Sequence, residues 1–131
     1  MNKREKGKEQ EEQAARYLAE HGFVLLEKNF RSRQGEVDLV GLHENCLVFV
    51  EVKYRKNASS GLPEEAVGSQ KQSRICLASD YYRLTHPEEG SRQIRYDVVA
   101  ICGEELSASP ESIHWYQNAF PYTRRGRAYS W

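Results

Sequence analysis

Across residues 9–21 the apolar positions recur at helical spacing. Ala14, Ala15 and Leu18 follow Glu11 at i+3, i+4 and i+7, which predicts a helix with one acid on its apolar stripe. Gly22 supplies its stop. The pattern then changes to that of strands, over 23–30, 36–43 and 46–54. Glu44 and Asn45 separate the last two; both are polar and asparagine tolerates positive φ, so a hairpin is expected. A polar Ser/Gly loop over 55–63 leads to a second helical stretch, starting near Pro63 or Ser69 and ending near Leu84. Its buried side is read as Ile75, Ala78 and Tyr82, with Leu77 and Tyr81. A Pro/Gly turn region follows, then strands over 94–102 and 112–117. The order is α-β-β-β-α-β-β. A helix between two apolar strands makes a right-handed crossover if the strands are parallel. The expected fold is therefore α/β, a mixed sheet of about five strands flanked by helices.

Length and composition fit this picture. The 131 residues suit one domain, placed over 9–120, with a basic, flexible segment at 1–8 and a basic, aromatic tail at 121–131. Hydrophobic residues make up 39% of the chain, and 8 Tyr, 4 Phe and 2 Trp are available for packing, so the composition is not that of a disordered chain. No apolar stretch approaches the roughly 20 residues of a membrane span. The N-terminus has no apolar core of a secretion signal. Three cysteines far apart, without a CxxC pair, indicate neither a zinc site nor a disulfide framework. A reducing, cytoplasmic location without membrane partners is the expectation.

The net charge is zero, so the overall field announces no polyanion. Cations nevertheless cluster at Arg31 and Arg33, at Lys53, Arg55 and Lys56, and at Lys71 and Arg74. The last two share a helix face near its N-terminus, where the dipole favours phosphate. These are the candidate nucleic-acid contacts. The common nucleotide, zinc-protease and serine-hydrolase motifs are absent. The four histidines stand alone and are read as surface or edge residues.

The anomaly lies in acids within strands. Alternation puts Glu36 and Asp38 on one face of their strand, opposite Val37 and Leu39. The run from Leu47 to Val50 is apolar on both faces, then carries Glu51 and Lys53. A strand apolar on both faces belongs at the centre of a sheet, where a charge costs roughly several kcal/mol unless it is paired or metal-bound. The open ends of the hairpin bring Asp38 near Glu51. These two carboxylates, the backbone carbonyl of Val52 and water would suit a hard divalent cation. Lys53 would orient the water or stabilise charge on a phosphorane-like transition state. The plain alternative is an exposed Glu51–Lys53 pair on an edge strand, with Asp38 at a strand end.

Asp38 followed by Glu51-x-Lys53 resembles the metal-binding signature of the PD-(D/E)XK, or restriction-endonuclease-like, nuclease superfamily. The chain more narrowly resembles the YraN-like family of small bacterial proteins. The matching stretches include Gln10 to Leu18, Asn29-Phe30-Arg31, Gly35 to Val40, Val48 to Lys53, Pro63 to Val67, Lys71 to Ile75, Arg95 to Val99 and Asn118-Ala119-Phe120. Two positions depart from the pattern: Val37 stands where the signature has proline, and Gln10 where a glycine is usual before Glu11. The resemblance implies a fold like that of archaeal Holliday junction resolvases. It implies Asp38 and Glu51 as metal ligands, Lys53 as the catalytic lysine and Glu11 as the helix-borne acid completing the site. Mg²⁺ or Mn²⁺ would be the cofactor. The substrate would be DNA, branched or single-stranded, cut in repair or recombination without sequence preference. A resolvase-type activity would also call for a homodimer. The competing expectation is a non-catalytic nucleic-acid-binding or protein-interaction module that keeps a nuclease-like fold.

Overall fold

A computed structural model describes residues 2–55, 67–103 and 112–123. Helix α1 spans Lys3–Glu20. It begins before the expected start because the Asn2 side chain accepts from the Glu5 amide at 2.9 Å, capping the first turn. Strands β1 (Val24–Arg31), β2 (Glu36–His43) and β3 (Cys46–Arg55) follow, then helix α2 (Ser69–Thr85), a short 3₁₀ turn (Pro87–Glu89), β4 (Gln93–Cys102) and β5 (Ile113–Tyr116). Helix α2 starts at Ser69; Lys56, Pro63 and most of the preceding loop lie outside the described residues. The tail is described as far as Thr123, and the Tyr122 hydroxyl donates to Asp80 on α2 at 2.9 Å.

The sheet has strand order β1-β2-β3-β4-β5. Strands β1, β2 and β3 run antiparallel, β3 and β4 parallel, and β4 and β5 antiparallel. The hairpin between β2 and β3 turns on Glu44 and Asn45, both at positive φ (50° and 68°), the backbone that tight two-residue turns demand. The helices cover opposite faces. Ile75, Cys76, Ala78 and Tyr82 of α2 pack with Leu47, Phe49 and Val98, while Ala14 and Leu18 of α1 pack with Val48, Val50 and Val99. Consecutive residues of β3 thus enter opposite cores, which is why its run is apolar throughout.

Three expectations about side chains are corrected. Tyr81 is 47% exposed, because the buried face of α2 turns through Cys76, Ser79 and Tyr82. His43 is buried, its Nδ1 2.9 Å from the Arg95 guanidinium. Strict alternation in β2 also fails. Val37 joins the core beneath α2, and Leu39 the core beneath α1, although they are two residues apart.

Candidate metal and nucleic-acid site

That break in alternation builds the site. Strands β2 and β3 pair from His43↔Cys46 as far as Leu39↔Val50 and no further. Beyond this point β2 stays with β1, through Phe30↔Val37 and Arg31↔Glu36, and parts from β3. The Asp38 side chain spans the opening: its Oδ2 accepts from the Val52 amide at 2.8 Å, replacing a lost backbone rung. Glu51 is buried in the same mouth, on the central strand. This removes the reading of Glu51 and Lys53 as an exposed edge pair.

Asp38 stands between two further acids. Glu11 of α1 lies within hydrogen-bonding reach of Asp38 and Asn29, and Lys28 is close enough to act on its charge. Burial, then the Asp38 charge, raises the Glu11 carboxyl above its usual range. Glu51 is pushed up to about 8, first by burial and then by Asp38, against the opposing pull of Lys71 and Lys53. Its Oε1 is buried without a hydrogen-bond partner, and its Oε2 lies 3.9 Å from Lys71 Nζ. An ionised carboxylate in this position is poorly compensated by the protein alone. Among the described residues, no group of three or more His, Cys, Asp or Glu side chains could hold a metal ion. Two carboxylates completed by a backbone oxygen and water remain as a donor set. Their all-oxygen chemistry and the orphaned Glu51 atom fit a hard divalent cation. Val52 itself donates its N–H to Asp38.

The basic residues divide. Lys53 is exposed at the mouth, close enough to act on Glu51. Glu36 gathers Arg74 at 3.1 Å, Arg31 at 3.6 Å and Lys71 at 3.7 Å. Those three cations are partly neutralised, although most of the Arg31 side chain remains exposed. Arg33 is exposed in the turn after β1, and Arg55 is half-buried at the end of β3, where its carbonyl accepts from Gly103 at 2.9 Å. An open cleft of about 430 Å³ beside Glu11 is lined by Arg4, Gly7, Lys8, Glu11, Asn29 and Arg31. Arg4, Gly7, Lys8 and Glu11 share one face of α1, and nothing lies within 4 Å of a Cβ built on Gly7.

Sequence reasoning missed Asn29, Arg4 and Lys8. The signal for Asn29 is an amide interrupting a strand pattern; it adopts φ 54° there, in the left-handed region asparagine tolerates. Arg4 and Lys8 precede the helix start that the apolar periodicity predicts, so their helical register is not legible in the sequence. Asp97 was passed over as well. It is fully buried and accepts from Arg95 (Nη2, 2.9 Å), Trp115 Nε1 (2.8 Å) and the Asn118 amide (2.9 Å). That set of donors satisfies it, and it fastens β5 and the segment after it to β4.

Fold and site together define a mixed α/β protein with a cluster of acids in the mouth of a central hairpin. The chain belongs to the uncharacterised protein family UPF0102, the YraN-like family, whose family model matches residues 10–101. A UPF0102 protein of Lachnoclostridium phytofermentans is 46% identical, over 81% of this chain and 90% of that protein. A UPF0102 protein of Cytophaga hutchinsonii is 44% identical, over 78% and 88%. One from Caldanaerobacter subterraneus is 37% identical, over 92% and 98%. Among the described residues no helix is long and apolar enough to cross a membrane.

Proposed function

We propose that this protein is a divalent-metal-dependent nuclease that hydrolyses DNA phosphodiester bonds, selecting branched or single-stranded structure rather than base sequence. One observation carries the reading: Asp38 sits between Glu11 and Glu51 where β2 parts from β3, and a buried Glu51 oxygen has no partner. A protein that only bound nucleic acid would have no use for so costly a group of acids.

Asp38 and Glu51, with the main-chain carbonyl of Val52, would hold Mg²⁺ or Mn²⁺, and Glu11 would border them. When bound, the cation supplies Lewis acidity and a water of lowered pKa. Lys53 sets its ammonium at the mouth, where the attacked phosphate gains negative charge. Glu11, with its raised proton affinity, is suited to take a proton at its carboxyl group. Arg4, Lys8 and Arg31, around the cleft beside Glu11, offer cations to the incoming backbone.

The test is a panel of single-stranded, duplex, flap and four-way DNAs, with and without Mn²⁺. Wild type is expected to cleave one or more of them only with metal. Lys53→Ala and Asp38→Ala are expected to lose at least about 100-fold in rate with unchanged circular dichroism. Equal cleavage by variants and wild type would move the activity elsewhere. Binding without cleavage on every substrate would favour the non-catalytic module.

A further inference from the structure

A second cleft, of about 740 Å³, lies between the turn after β1 and helix α2, lined by Arg31, Ser32, Arg33, Gln34 and Tyr81. Two of these five residues are cationic and none is acidic. Arg33 makes no ion pair among the described residues, and the Arg31 side chain is 74% exposed despite its contact with Glu36. Tyr81 offers a ring that the helix does not need for its core. Phe30 backs that ring at 6.1 Å between centroids and 29° between planes, so Tyr81 is already held near one orientation. The opposite wall is fixed too. The Ser32 amide donates to the Gly35 carbonyl at 2.9 Å, and the Gly35 amide to Ser32 Oγ at 3.2 Å. Gly35 itself lies so close to α2 that a Cβ would collide with the Arg74 carbonyl.

We propose that this cleft binds an unpaired nucleotide, with the base stacked on Tyr81 and the flanking phosphates on Arg31 and Arg33. The assignment rests on the nuclease reading and narrows its substrate to DNA with an unpaired segment. A flat, backed aromatic ring between cations is what sequence-tolerant single-strand binding uses. A base inside a duplex is already stacked on its neighbours and cannot use the ring. Arg31 also lines the cleft beside Glu11, so a strand anchored on Tyr81 has cations along its course toward the acids.

Anisotropy titrations in EDTA, with a short labelled single strand and the blunt duplex of the same sequence, test this. Tyr81→Ala is expected to weaken single-strand binding about tenfold and to lower the single-strand to duplex affinity ratio accordingly. Tyr81→Phe keeps the ring and is expected to stay near wild type. A 2-aminopurine in the strand should be quenched by wild type and by Tyr81→Phe, but not by Tyr81→Ala. Unchanged single-strand affinity in Tyr81→Ala, or an equal loss on both probes, overturns the subsite and leaves the nuclease reading to its own cleavage test. If the wild-type protein binds neither probe, the subsite is overturned, and the cleavage panel with flap and four-way DNAs alone decides the nuclease reading.

Discussion

Glu51 is the residue where burial and charge oppose each other most directly. Its carboxyl is pushed from an ordinary 4.5 to about 8, so folding raises its affinity for a proton. The folded state is favoured by that proton. The contribution is fully present below the unfolded value and is lost as pH rises through the folded one. Without divalent metal, the wild-type protein should therefore lose stability between about pH 4.5 and about pH 8 on account of this group. Glu51→Gln keeps the shape and needs no proton. Its melting temperature in EDTA is expected to exceed that of wild type by several degrees near pH 8 and by little near pH 4.5, read by thermal denaturation across pH. Parallel curves would mean that Glu51 is not under the strain assigned to it.

Between elements, the decisive contact is the seating of the β1–β2 turn on α2. Gly35 touches the helix backbone, and Glu36 beside it meets Lys71 and Arg74. A methyl group at Gly35 would have to push main chain against main chain. Gly35→Ala is expected to cost about 2–3 kcal/mol in urea unfolding. An unchanged midpoint would show that the turn lifts from the helix freely. The same seating holds one wall of the Tyr81 cleft, so a folded Gly35→Ala variant should also bind single strands more weakly, by about threefold or more. Asn2 is a smaller instance of local control, since its side chain sets where α1 begins and hence the register of Arg4, Lys8 and Glu11.

For the whole molecule, zero net charge hides an uneven distribution. Arg4, Lys8, Arg31 and Arg33 line two clefts that share Arg31, at the end of the sheet where β2 and β3 part. If these cations meet phosphates, log affinity for single-stranded DNA should fall linearly with log salt, with a slope of about −2 to −3 at roughly 0.7 per phosphate. The double variant Arg4→Ala/Lys8→Ala should flatten that slope by about 1.4. A slope that is flat in wild type, or unaltered in the variant, would remove the α1 cations from the binding surface.

The strand pattern, the hairpin at Glu44-Asn45 and the anomaly of Asp38, Glu51 and Lys53 within strands are legible in the order of residues alone. Those signals are local: side-chain period follows backbone period, a tight turn demands positive φ, and an acid in an apolar strand is expensive enough to stand out. The rest depends on contacts between segments far apart in the chain. Val37 could not be known to leave the face that alternation gave it, because β2 departs from β3 only when β1 and α2 claim it. Glu36 reads like Asp38 in the sequence, yet Glu36 pairs with cations of α2 while Asp38 bridges to Val52 and the other acids. The exposure of Tyr81 likewise depends on which stripe of α2 the sheet covers. Periodicity fixes which residues share a face of one element; which faces meet, and where two strands part, is set by packing between segments distant in the chain.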